Sequence, residues 1–148
     1  MEPVELEITH ILGRMDALHP DTKPVWGTMS AQRMIEHLSD TLRIASGKDQ
    51  FPLVVPEEKF ERMKAFLLSD KPMARNIEVS FADKETPLRH EEIELAIDEF
   101  LLEWIDFEEH FADENQTESH PYYGPLNFNE WCLLNQKHLT HHFEQFGI

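Results

Sequence analysis

The chain has 148 residues and a mass of 17.4 kDa, the size of one domain, and we read residues 1–148 as a single unit. Lys and Arg number 13 against 29 Asp and Glu, a formal net charge of -16, so there is no basic surface to track phosphates and neither nucleic acid nor an anionic membrane is expected as a partner. No apolar run approaches the ~20 residues of a membrane helix, the start Met1-Glu2-Pro3-Val4-Glu5 is acidic where a signal peptide is basic, and Cys132 stands alone, which excludes an intramolecular disulfide or a thiolate zinc cluster and points to a soluble, reduced, cytoplasmic domain.

In chain order, Val4, Ile8, Ile11, Leu12, Met15 and Leu18 recur at helical spacing and predict a first amphipathic helix from Val4 to Leu18, ended by Pro20 and Pro24. Ser30 is a good N-cap for a second helix running to about Ala45, with Met34, Leu38, Leu42 and Ala45 as its apolar stripe and Ser46-Gly47 as its stop. Residues 46–86 read as a long passage rich in Pro, interrupted by a short helix near Glu57–Ser69. Asn76 to Ala82 alternates like a strand but has no pairing partner in the pattern, and reads as extended loop. A third long helix is predicted from Pro87, with Thr86 as cap and Ile93, Ala96, Ile97, Phe100, Trp104, Phe107 and Phe111 buried. Residues 91–118 carry twelve carboxylates and no Lys or Arg, read as that helix's solvated face. Asn115 to Pro125 reads as loop. Asn127 with Glu130 resembles a capping box for a fourth long helix that ends at Gly147.

Four amphipathic helices without a sustained strand pattern predict an all-α fold, a four-helix bundle. The first–second and third–fourth connections suit antiparallel neighbours, whereas the passage between the second and third can cross the whole bundle. The expected topology is up-down-down-up, with the second and fourth helices antiparallel.

The unusual count is nine histidines, three of them within five residues near the C-terminus. On the fourth helix, at about 100° per residue, His142 lies about 40° round from His138 and one turn above it. Such a pair can present two imidazoles to one metal ion, and Trp131, Leu134 and Gln145 share its face, which makes that face the buried one. Leu139 stands where a zinc protease would place its Glu. His141, about 60° to the other side of His138, could replace His142 but ranks second. Antiparallel packing brings His37, roughly 10 Å into the second helix, to the level of His138 and His142 near the end of the fourth. His37, His138 and His142 therefore form the candidate metal set. Three imidazoles without a fourth protein ligand describe an open coordination sphere, which a water or substrate atom completes. Ligand type does not choose among zinc, nickel, copper and iron. Asp40, Glu36 and Glu144 are the candidates to orient the ligands from behind.

The segment from Trp26-Gly27-Thr28-Met29-Ser30 through Glu36-His37-Leu38 resembles the second-helix entry of the DinB/YfiT-like superfamily. His120-Pro121-Tyr122-Tyr123-Gly124-Pro125-Leu126, Glu130-Trp131 and His138-Leu139-Thr140-His141-His142-Phe143-Glu144-Gln145-Phe146-Gly147 are similar to the closing segment of one branch, a domain family of unknown function. The resemblance implies an up-down-down-up bundle holding a divalent transition metal, zinc or nickel ahead of iron or copper, at positions that match His37, His138 and His142. It also implies a small-molecule substrate with a low-molecular-weight thiol among the candidates, thiol-dependent S-transfer as the leading reaction class, and a homodimer as an assembly found among members. The alternatives are a non-catalytic, metal-stabilised bundle or interaction module, and a metal-dependent hydrolase.

Other residues have plainer readings. Trp26 and Met29 read as a helix-entry staple rather than a pocket mouth. Tyr122 and Tyr123 read as loop aromatics packed over the bundle end rather than as phenols presented to the metal as an acid or substrate donor. Arg33 reads either as an anchor for a substrate carboxylate or as the partner of neighbouring acids. Cys132 reads as a small hydrophobe off the ligand face, and His10, His19, His90 and His110 as surface residues.

Overall fold

The computed structural model describes residues 2–75 and 86–148; the extended-loop reading of Asn76 to Ala82 lies outside them. The described chain is mostly helical, with five α-helices and one small two-stranded sheet.

Helix α1 spans Ile8–Met15, shorter than the apolar spacing predicts. The Glu7 carboxylate caps it, accepting from the backbone N–H groups of Thr9 and His10 at 3.2 and 2.9 Å, so the helix starts there rather than at Val4. Val4 is nonetheless buried, in extended chain. Its N–H donates to Thr140 Oγ1 and its carbonyl accepts from Gln136 Nε2, each at 2.9 Å. It seals a distant helix instead of lying on α1.

Helix α2, Ala31–Ala45, begins as predicted: Ser30 Oγ accepts from the Arg33 N–H at 3.1 Å. Met34, Leu38, Leu42 and Ala45 are all buried. After a single 3-10 turn at Glu57–Lys59, α3 runs Phe60–Leu68 and buries Leu67.

Helix α4 spans Ile93–His110. The predicted start at Pro87 under a Thr86 cap is thus six residues early. Buried Glu36 on α2 accepts from the backbone N–H groups of Arg89 at 2.7 Å and His90 at 3.4 Å, and the Arg89 guanidinium bonds Asp40 and Glu99, both at 2.7 Å. The backbone donors of this segment therefore go to a carboxylate on another helix, and residues 86–92 stay non-helical. From Ile93 onward the predicted stripe holds: Ile93, Ala96, Phe100, Trp104, Phe107 and Phe111 are buried and Ile97 half-buried. The acidic run is not wholly a solvated face. Glu103 is buried and takes Lys48 Nζ at 3.1 Å, while Glu99 takes Arg89, so part of that charge binds α4 to α2 and its flanks.

The predicted loop before the last helix holds a hairpin, β1 Glu118–His120 and β2 Gly124–Leu126, antiparallel with His120 opposite Gly124. Strands of three residues are too short to write an alternation into the sequence. Helix α5 follows, Phe128–Phe146, with both hydrogen bonds of the Asn127–Glu130 capping box and Gly147 closing it at φ 69°. Helix α2 lies at the centre, with its most extensive contact to α4 and further contact to α5 and β1; α1 packs on α4, and α3 on α5. Among the described residues no helix is long and apolar enough to cross a membrane.

Candidate metal centre

Helices α2 and α5 bring His37, His138 and His142 together, with one nitrogen of each within 4.8 Å of the others. All three turn the same atom inward. His138 Nε2 lies 2.9 Å from His37 Nε2 and 3.0 Å from His142 Nε2. The rings meet edge to face, their centroids 4.7–5.1 Å apart. A tetrahedral ion at ~2.0–2.1 Å from each nitrogen sets neighbouring ligand atoms about 3.3 Å apart, a few tenths of an ångström more than these two spacings.

A ligand nitrogen must offer a lone pair, and the structure decides this for His142 from behind. Gln145 Nε2 donates to the Trp26 carbonyl at 3.0 Å, which aims Gln145 Oε1, an acceptor, at His142 Nδ1 2.8 Å away. The proton of His142 therefore sits on Nδ1, and Nε2 faces the centre unprotonated. Gln145 is itself buried and tied once more through its backbone carbonyl, which accepts from the Val25 N–H at 2.7 Å. This corrects the expected outer partners. Glu36 and Asp40 are engaged by the 86–90 segment, and Glu144 is exposed.

The cluster resists protonation. Burial pushes His37 down to about 4, helped by His141, and His142 down to about 3. Burial, and then the neighbouring histidines, hold His138 well below the usual imidazole range. Three lone-pair donors close together that do not readily take a proton are the electronic requirement of a cation site.

The remaining expectations sort plainly. His141 packs edge-on to Trp26, ring centroids 5.5 Å apart, and against His142 at 4.9 Å, so it flanks the centre and does not replace His142 in it. Trp26 is more than a staple: the Arg75 guanidinium lies 3.8 Å over its ring. The Arg33 guanidinium donates to the Thr86 carbonyl. Tyr122 and Tyr123 pack against His120. Cys132 is half-buried, and burial pushes its thiol up to about 11, an unreactive state. His10 and His19 are exposed, but His90 and His110 bond Glu99 and Glu118 at 3.2 and 2.7 Å.

Three residues beside the ligands escape sequence reasoning. Gln145 shares the ligand face, and its spacing of three from His142 is the one signal of its role. His120, buried between Tyr123 and Trp131 with Nδ1 accepting from the Tyr122 N–H at 3.0 Å, and Arg75, brought in by a loop, carry no periodic signal. No family model, curated protein or solved structure matches the chain.

Proposed function

We propose that this protein binds one divalent transition-metal ion, zinc or nickel, on His37, His138 and His142, as a metal-dependent protein of the DinB/YfiT-like type. In this reading α1, α2, α4 and α5 are the four helices of an up-down-down-up bundle, and residues 1–148 are one domain. The observation that carries it is the convergence of three Nε2 atoms at 2.9 and 3.0 Å. The Gln145 bond, which leaves the inward nitrogen of His142 able to coordinate, supports it.

When bound, the ion supplies a Lewis acid that lowers the pKa of a water or thiol in its open position. The protein's residues hold three imidazoles in register where α2 meets α5, with His142 buried at 6% exposure. Among the described residues the carboxylates on α2 nearest His37, Glu36 and Asp40, are turned to Arg89 and His90. Thiol-dependent S-transfer, with a low-molecular-weight thiol as co-substrate, is placed ahead of hydrolysis on the resemblance of the segments around His37, His138 and His142 to the DinB/YfiT-like superfamily. The test is elemental analysis of protein purified without an affinity tag, beside His37→Ala and His142→Ala. About one transition-metal ion per chain, lost in both folded variants, is the expected result. Folded wild type that takes up neither zinc nor nickel on reconstitution overturns the reading.

A further inference from the structure

Beside the histidine centre lies a cation that the structure positions with care. Helix α5 places Lys137 and His141 one turn apart. Lys137 Nζ donates to the carbonyls of Ser69 and Lys71 at 2.7 and 2.6 Å. The chain leaving α3 is thereby fastened along α5 as far as Lys71. Four residues on, the Arg75 guanidinium stacks 3.8 Å over the Trp26 ring. Trp26 is in turn held by the Gln145 amide that orients His142, and its ring touches His141. Arg75, Trp26, His141 and His142 thus form one continuous strip from the surface to the centre.

The charge of that strip runs against the rest of the molecule. In a chain of net charge -16 several other cations are engaged: Arg33 with the Thr86 carbonyl, Arg89 with Asp40 and Glu99, and Arg43 with Asp49 and Glu103. Arg75 is exposed and, among the described residues, lies within 4.0 Å of no carboxylate. Stacking on an indole covers one face of a guanidinium and leaves its edge, a fork of N–H donors, for a planar anion. An indole also fixes the fork's plane, which lowers the entropy cost of binding a carboxylate there.

We propose that Arg75 on the Trp26 platform is an anion-recognition site, and that the small molecule served by the histidine centre carries a carboxylate that Arg75 holds. This rests on the metal reading above for the second half only. The test pairs thiols of equal length, mercaptohexanoate and mercaptohexanol, titrated into cobalt-loaded full-length protein and followed by the thiolate-to-metal charge-transfer band. Hexanoate, which has no thiol, is titrated into metal-free protein and followed by the Trp26 indole N–H resonance, assigned with Trp26→Phe. The expected result is binding of mercaptohexanoate about tenfold tighter than mercaptohexanol, with the preference lost in Arg75→Met. Hexanoate should shift the Trp26 resonance in wild type and not in Arg75→Met. Equal binding of the two thiols overturns the proposal, whatever hexanoate does, and leaves the metal reading intact. If no thiol gives a band, the thiol reading fails and hexanoate decides for Arg75: a shift lost in Arg75→Met supports the anion site, and no shift overturns it.

Discussion

Replacing Gln145 by Leu removes the acceptor from His142 Nδ1 and the donor from the Trp26 carbonyl while keeping the side chain's bulk. The buried Nδ1–H then has no partner, and the tautomer that turns an Nε2 lone pair inward is no longer enforced. Zinc affinity, measured by competition with a chromophoric chelator, should fall about 10–100-fold in a protein that still folds. Unchanged affinity would mean that the Gln145 bond only fastens the Val25–Trp26 loop. At this scale the sequence was informative about the ligands themselves, because a spacing of four on one helix fixes relative direction. It said little about Gln145 and nothing about Arg75. Their partners, a carbonyl and an indole of Trp26, are distant in sequence, and no local pattern encodes such a pairing.

At the scale of elements, the hairpin and α3 meet through Gly124. Its φ of 72° lies in the left-handed region, and a Cβ there would collide with the Phe60 ring at the start of α3. Gly124→Ala should therefore cost about 2–4 kcal/mol, from backbone strain plus displacement of Phe60, read as a lower urea midpoint. Gly13 is the counterpart. It sits inside α1 at a negative φ, and a methyl group there would meet nothing within 4 Å, so Gly13→Ala should raise stability by about 0.5–1 kcal/mol. Opposite signs for the same chemical change separate a glycine required by tertiary approach from one that merely weakens a helix. The long elements α2 and α5 were legible because cap, stripe and stop agreed over four or more turns. The start of α4 was not. Thr86-Pro87 is a valid local start, and it lost to a buried carboxylate, Glu36, that claims the Arg89 and His90 backbone N–H groups from across the fold.

For the whole molecule, buried histidines couple the fold to pH. Burial pushes His120 down to about 3 from its ordinary value of 6.5. Below pH 6.5 the unfolded chain takes up a proton that the folded chain refuses, so this contribution is fully present above 6.5 and is lost as pH falls toward 3. By pH 5 the loss from His120 alone is about 2 kcal/mol. His120→Asn keeps an acceptor for the Tyr122 N–H and removes the titration. Its stability, measured by urea unfolding of metal-free protein, should fall less steeply between pH 7 and about pH 5 than that of wild type. Parallel profiles would show that His120 does not carry this dependence.

What the sequence determined by itself is what short-range geometry determines: the helical class, the stripes of α2, α4 and α5, the capping box at Asn127, and the face on which His138 and His142 lie. These follow from a period of 3.6 residues and from the chemistry of helix ends, both local. Tertiary structure alone decided that Val4 seals α5 rather than extending α1, that Glu36 delays α4, that a short hairpin encloses His120, and that Gln145, Trp26 and Arg75 line up behind and beside His142. Each is a polar or aromatic contact between segments distant in sequence. Its energy depends on burial and mutual orientation, which exist only once the helices have packed.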